Sequence, residues 1–169
     1  MKKLIITIFI FLFTAQFGFA QRFAYVDSEY ILNKIPAYKE ALAKLDLLSE
    51  QWEKELKAKY DMVELKYKEF QNEKVLLSQE MRIKKEEEIV QLEKEANDLK
   101  KKYFGFEGEL FKKREEFIKP IQEEIYNAIL KLAEEGNYAI IFDSASGATM
   151  LYTDQKYDKS DEVLKELGY

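Results

Sequence analysis

The sequence predicts a mainly α protein with a small β body. A long antiparallel helical hairpin, a coiled-coil-like prong, is inserted in a small α/β hub. Three observations predict this. Apolar residues recur at mixed 3/4 spacing through most of residues 38–132, which is the signature of a helical seam. Short β-like runs, RFAYVD and NYAIIFD, stand before and after that region. The composition, 35% charged with only two prolines, suits long helices.

The chain opens on what reads as an export signal. Met1-Lys2-Lys3 is basic, Leu4–Phe13 is an apolar run, and Gly18-Phe19-Ala20 ends small-x-small, so cleavage is expected after Ala20. A ten-residue helix reaches about 15 Å, half the hydrocarbon thickness of a bilayer, so a cleaved signal is favoured over an anchor. Residues 1–20 are therefore assigned to a signal peptide, and the rest is expected to be exported and soluble. Losing Lys2 and Lys3 takes the formal charge from −5 to −7, which argues against nucleic acid as a partner and does not support membrane contact.

The next element is a strand through Phe23, Tyr25 and Val26. Asp27 or Ser28 can cap a short helix running to Ile35, and Pro36 suits the first position of a new one. No Pro or Gly follows until residue 105. Tyr38, Leu42, Leu45, Leu48, Trp52, Leu56, Tyr60, Val63, Tyr67, Phe70 and Leu77, with Lys74 filling one position, cover 39 residues in 11 steps, or 3.5 per step. Ser78 is the expected cap at the hairpin tip.

The second arm is expected to run unbroken from Gln79 to about Glu135, ending at Gly136. Its seam is Ile89, Leu92, Ala96, Leu99, Tyr103, Phe106 and Leu110. A second stripe follows every seventh residue: Ile83, Val90, Asn97, Phe104, Phe111, Ile118, Ile125 and Leu132. Beyond Phe111 this stripe becomes the main seam, joined by Ile121 and Ala128. Then come a strand at 137–143, a loop, a second strand at Thr149–Tyr152 forming a hairpin with it, and a closing helix capped by Asp158 or Ser160 and ended by Gly168.

The domain division is 1–20 signal peptide, 21–35 with 137–169 as a small α/β body, and 36–136 as the hairpin with its tip near 78. The body has 48 residues, marginal for an independent core, and short strands leave open edges. Oligomerisation through the body is the economical answer, with Phe23, Tyr25, Val26, Ile140, Ile141, Phe142, Met150 and Leu151 as candidate contacts.

The absence of cysteine and histidine removes disulfides, Cys/His metal sites, Ser-His-Asp triads and Cys nucleophiles together. No GxxxxGK[ST] loop is present. Asp143, Ser144 and Asp154 follow strands but read as turn residues. No enzyme, cofactor or metal is expected.

The most informative stretch is KKYFGFEGELFKKREEFIKP, residues 101–120. Here both apolar faces of the second arm overlap, and a two-helix pair cannot cover both. Tyr103, Phe104, Phe106, Phe111, Phe117 and Ile118 are candidate residues for binding another chain; the competing reading is plain packing core. Gly105, Gly108 and Pro120 are hinge candidates, or else close packing and a static kink. Residues 100–119 carry seven basic and four acidic groups, which would draw acidic partners at low affinity.

The sequence resembles the Skp/OmpH family of periplasmic chaperones over Phe23–Tyr169. The resemblance rests on FAYVDSEYILNKIP, the Lys/Glu-rich hairpin and NYAIIFDSASGATMLYTDQKYDKSDEVLKEL, in that order. It implies a jellyfish-like homotrimer whose strands form a hub and whose prongs enclose a cavity. It implies ATP-independent holding of unfolded outer-membrane or other envelope proteins as partners. The tip here, residues 71–90, carries four basic and five acidic groups, so no lipopolysaccharide or membrane-binding site is carried over from the basic family members. The rival reading is a structural coiled-coil spacer or adaptor of the cell envelope.

Overall fold

A computed structural model describes residues 22–147 and 150–169. The predicted signal peptide lies outside the described residues. In order, the elements are β1 (Arg22–Val26), α1 (Ser28–Lys34), α2 (Pro36–Glu73), α3 (Gln79–Phe104), α4 (Glu109–Gly136), β2 (Tyr138–Asp143), a 3-10 turn (Gln155–Tyr157) and α5 (Ser160–Glu166). They form two compact units: residues 22–34 with 125–169, and residues 35–124.

The first unit is built on a parallel pair of strands. Phe23 pairs with Ile140, Ala24 with Ile141, Tyr25 with Phe142 and Val26 with Asp143. Parallel strands need a crossover, and here α1 through α4 supply it. Ala24 and Val26 point inward, and Ile31, Val163 and Leu164 are buried as well; α1 packs on α5.

Side chains fix the junctions. Asp27 caps α1 by accepting from the Tyr30 amide (2.8 Å). The Asp143 carboxylate accepts from the Ser28 amide (3.1 Å), the Ser28 hydroxyl (2.8 Å) and the Ala145 amide (3.0 Å). Ser160, buried, donates its hydroxyl to Asp158 (2.6 Å) and accepts from the Asp27 amide (2.9 Å). At the end of α5, Gly168 takes the left-handed φ of 89° that its sequence position predicts.

The predicted strand at Thr149–Tyr152 does not form as expected. Thr149 lies outside the described residues, and Met150, Leu151 and Tyr152 are not in a strand. The partner of β2 is β1, not a hairpin neighbour. The chain after Asp143 turns away and passes the far edge of β1. There the Lys159 amide donates to the Tyr25 carbonyl (2.9 Å), and Asp158 forms an isolated parallel bridge with Tyr25.

The second unit holds the antiparallel pair α2 and α3. Pro36 begins α2, after an extended Ile35. The seam buries Ala41, Leu45 and Phe70 on one helix and Ile89, Ala96 and Tyr103 on the other. Polar rungs run beside it in antiparallel order. The Tyr103 hydroxyl donates to Glu55 (2.8 Å), the Tyr60 hydroxyl to Asn97 (3.0 Å) and Lys85 to Glu73 (2.6 Å). Asn97, the one polar member of the second stripe, is thus the acceptor that holds Tyr60 at the seam's edge. Residues 74–78 make the turn, and the Ser78 hydroxyl accepts from the Met81 amide (3.3 Å), as a helix cap does.

The second arm is not one helix. It stops at Phe104 and restarts at Glu109. Gly105 is extended (φ −71°, ψ 173°), and the Gly108 amide closes a turn onto the Gly105 carbonyl (2.9 Å). Glu107 sits in the left-handed region (φ 56°). A Cβ on Gly105 would run into the Lys101 carbonyl, and one on Gly108 would lie 2.9 Å from the carbonyl oxygens of Gly105 and Tyr103. Both glycines are therefore structural requirements of the break. Pro120, by contrast, lies inside an uninterrupted α4, which buries Ile118, Ile121, Ile125 and Ala128, the stripe expected to take over as the seam.

Candidate functional site

The belt at residues 103–118 is divided by the break. Tyr103 is buried, 8% exposed. Its ring stacks on Trp52 with centroids 4.9 Å apart, and its hydrogen bond to Glu55, with burial adding to it, raises the phenol pKa above the ordinary value of 10.0. Phe104, half-buried, meets Trp52 edge-on at 6.4 Å. Ile118 is buried, and Phe117 is half-buried with the Lys113 ammonium 5.6 Å from its ring centroid. Phe106 is 98% exposed and Phe111 50% exposed. In an unbroken helix Tyr103 and Phe106 would share one face; the turn separates them.

The break opens a cleft of about 370 Å³ on the hairpin unit. Leu42 and Leu45 of α2 line one side, and Phe104, Leu110 and Phe111 the other, with Arg114 at the rim. Further along the hairpin, Ile83 and Val90 of the second stripe are exposed. At the tip, Val75 and Leu76 are 85% and 87% exposed.

The body carries its own uncovered apolar groups. Of the oligomerisation candidates, Phe23, Ile140, Phe142 and Leu151 are exposed, the last at 94%. Tyr25, Ile141 and Met150 are half-buried, and Val26 is buried in the unit's own core. A second cavity of about 550 Å³ lies along β1, lined by Phe23, Tyr25, Tyr138, Met150 and Tyr152 among others. Its Asp154 accepts from the Lys156 amide and pairs with that ammonium (2.8 Å), which lowers the Asp154 pKa and raises that of Lys156. Asp143 and Asp154 are thus both occupied in holding local backbone. Among the described residues no cluster of carboxylates is placed to hold a metal ion, and no helix is long and apolar enough to cross a membrane.

Sequence periodicity finds the apolar stripes but misses the cleft, because the cleft depends on the break. The available signal was the Gly105–Gly108 spacing, three residues apart, as the ends of a four-residue turn require.

A parallel strand pair joined through a long helical hairpin, with apolar side chains exposed on the helices, defines the fold class. The family model described as outer membrane protein (OmpH-like) matches residues 22–167, and the chain belongs to that family. The crystal structure of an OmpH-like protein from Caulobacter crescentus CB15, described as an outer membrane chaperone, has a similar fold. Its TM-score is 0.68 at 14% identity, covering 89% of this chain and 85% of that one. No curated protein matches the chain.

Proposed function

We propose that this protein is an exported, ATP-independent holding chaperone of the periplasm. It binds unfolded outer-membrane or other envelope proteins and keeps them from aggregating, without catalytic turnover. The observation that carries the reading is the apolar surface left uncovered on a charged helical unit: Ile83, Val90, Phe106 and Phe111. Several weak apolar contacts on one scaffold bind a disordered chain by avidity and need no shaped pocket. Membership of the OmpH-like family and the chaperone description of the Caulobacter protein support the same reading.

The working form is a homotrimer assembled through the body. Exposed Phe23, Ile140, Phe142 and Leu151 around a two-stranded sheet support this, because open edges with apolar side chains invite pairing with another chain.

The test is aggregation of a urea-unfolded outer-membrane β-barrel protein on dilution, with and without the purified protein, and a mass measurement of the mixture. The expected result is suppressed light scattering and a stable complex of client with a trimer. Undiminished scattering at excess protein overturns the holding reading. That result would leave the envelope-spacer reading standing.

A further inference from the structure

The break between α3 and α4 changes the apolar surface in two ways. It lifts Phe106 into solvent, and it opens the cleft between Leu42 and Leu45 on one helix and Phe104, Leu110 and Phe111 beyond. The backbone conformation is specific. Two glycines stand where side chains would collide with carbonyls, and Glu107 is held at a φ that non-glycine residues seldom adopt. A frayed helix would require neither.

We propose that this cleft is a receptor for single side chains. It takes one aromatic residue of an unfolded client, and it favours aromatic residues with acidic neighbours. The proposal rests on the holding reading above and names which client segments that surface prefers.

Size argues for a side chain. At about 370 Å³ the cleft is near the lower end of small-ligand pockets. It has room for a large ring and not for a helix or folded surface. Its apolar lining is mostly leucine and phenylalanine, so burying a ring there gains both transfer energy and aromatic contact.

Charge argues for the neighbours. Residues 100–119 carry seven basic and four acidic groups in a chain of formal charge −5. Two of those acids, Glu109 and Glu116, are already engaged by Lys112 and Lys113. Arg114 lines the cleft and has no ion-pair partner among the described residues. Its planar guanidinium suits a carboxylate. Asp46 also lines the cleft and is the one acid there; it opposes an acidic neighbour on its own side of the ring, against Arg114 and the basic excess of residues 100–119.

Trp52, the only tryptophan in the chain, reports on the site because its ring is edge-on to Phe104, a wall of the cleft. The probe is a blocked, unstructured peptide with one Phe between Asp residues. Control peptides replace the Phe by Ser, or the Asp residues by Lys. The purified protein is titrated with each while Trp52 emission and peptide anisotropy are followed.

The Asp-flanked Phe peptide should saturate and shift Trp52 emission, and the Ser peptide should give neither signal. Replacing Asp by Lys should weaken binding about tenfold, a difference of about 1.4 kcal/mol. Phe111→Ser should weaken all aromatic peptides, and Arg114→Glu should abolish or reverse the preference for acid. Both positions are exposed, so helical content and unfolding midpoint should hold.

Equal binding of all three peptides, absence of saturation, or an unchanged preference in Arg114→Glu overturns the proposal. If aggregation is suppressed but no peptide preference appears, the cleft proposal falls alone. If the peptide binds as expected but aggregation is not suppressed, the holding reading falls alone.

Discussion

The indole of Trp52 lies flat on the phenol ring of Tyr103, with centroids 4.9 Å apart and planes 8° from parallel. The Tyr103 hydroxyl donates to Glu55 on the same helix as Trp52. One tyrosine thereby joins α2 and α3 twice, once by its face and once by its edge. Its raised pKa has a definite sign. The contact contributes fully below the ordinary tyrosine pKa and is lost as pH rises through the higher folded value. Trp52 emission should therefore hold steady past pH 10 and change only above it. Glu55→Gln should move that midpoint down, and an unmoved midpoint would show that Glu55 is not the cause.

Replacing both Gly105 and Gly108 by Ala should abolish the turn, since neither Cβ fits it. Alanine favours helix over glycine by about 1 kcal/mol per site, so α3 and α4 should fuse and helical circular dichroism should rise. The chain has no cysteine, so Phe106→Cys introduces a unique label. Labelling at that position should be fast in the parent and slowed in the double variant. Equal rates would mean that the break persists without its glycines.

Ser78→Ala should cost about 0.5–1 kcal/mol, toward the lower end for a helix cap, because its acceptor contact to the Met81 amide is long at 3.3 Å. Urea unfolding should report the loss, and amide exchange should quicken at residues 79–82 more than elsewhere. Ser78→Asp should retain most of the stability.

Asp143→Ala removes three hydrogen bonds that tie the end of β2 to the start of α1 and to its own turn. The expected cost is about 2–3 kcal/mol, within the range for bonds to a charged acceptor. A midpoint change indistinguishable from that of an exposed control such as Glu123→Ala would refute this role.

Leu151→Asp places a charge at a position 94% exposed in the single chain, so the isolated body should tolerate it. In an assembly built through the body the charge would be desolvated. Sedimentation should show a shift toward lighter species with helical content unchanged. A species of the parent's mass would take Leu151 out of the proposed interface.

Periodic elements were readable because their code is local. Burial of Leu45 and Phe70 follows from spacing alone, and so does the later seam from Ile118 to Ala128; Ala41 is buried one step off the expected line through Tyr38 and Leu42. Ser78 and Gly168 announced themselves by residue type. The break at 105–108 was masked, because Tyr103, Phe106 and Leu110 keep a perfect 3-4 step through it and the two glycines read equally well as close packing. The extended backbone at Gly105 and the left-handed backbone at Glu107 interrupt the step. Strand partnership failed for a different reason. Alternation at Thr149–Tyr152 says that a segment can be extended, not what lies beside it. The true partner of β2 is far back in the chain, and pairing over that distance leaves no local trace.

That distance has a consequence for how the protein is made. Arg22 and Tyr138 are partners 116 positions apart. At synthesis rates of about 5–20 residues per second, β1 waits roughly 6–23 s before any part of β2 exists. Throughout that interval the segment carrying Phe23 and Tyr25 has no partner strand to pair with. The helical pair α2 and α3 is complete far earlier and has no need of the sheet's last strand. A chain cut short of residue 138 has every residue of the hairpin but cannot form the sheet. The topology makes closing the body a check on the chain's own completeness.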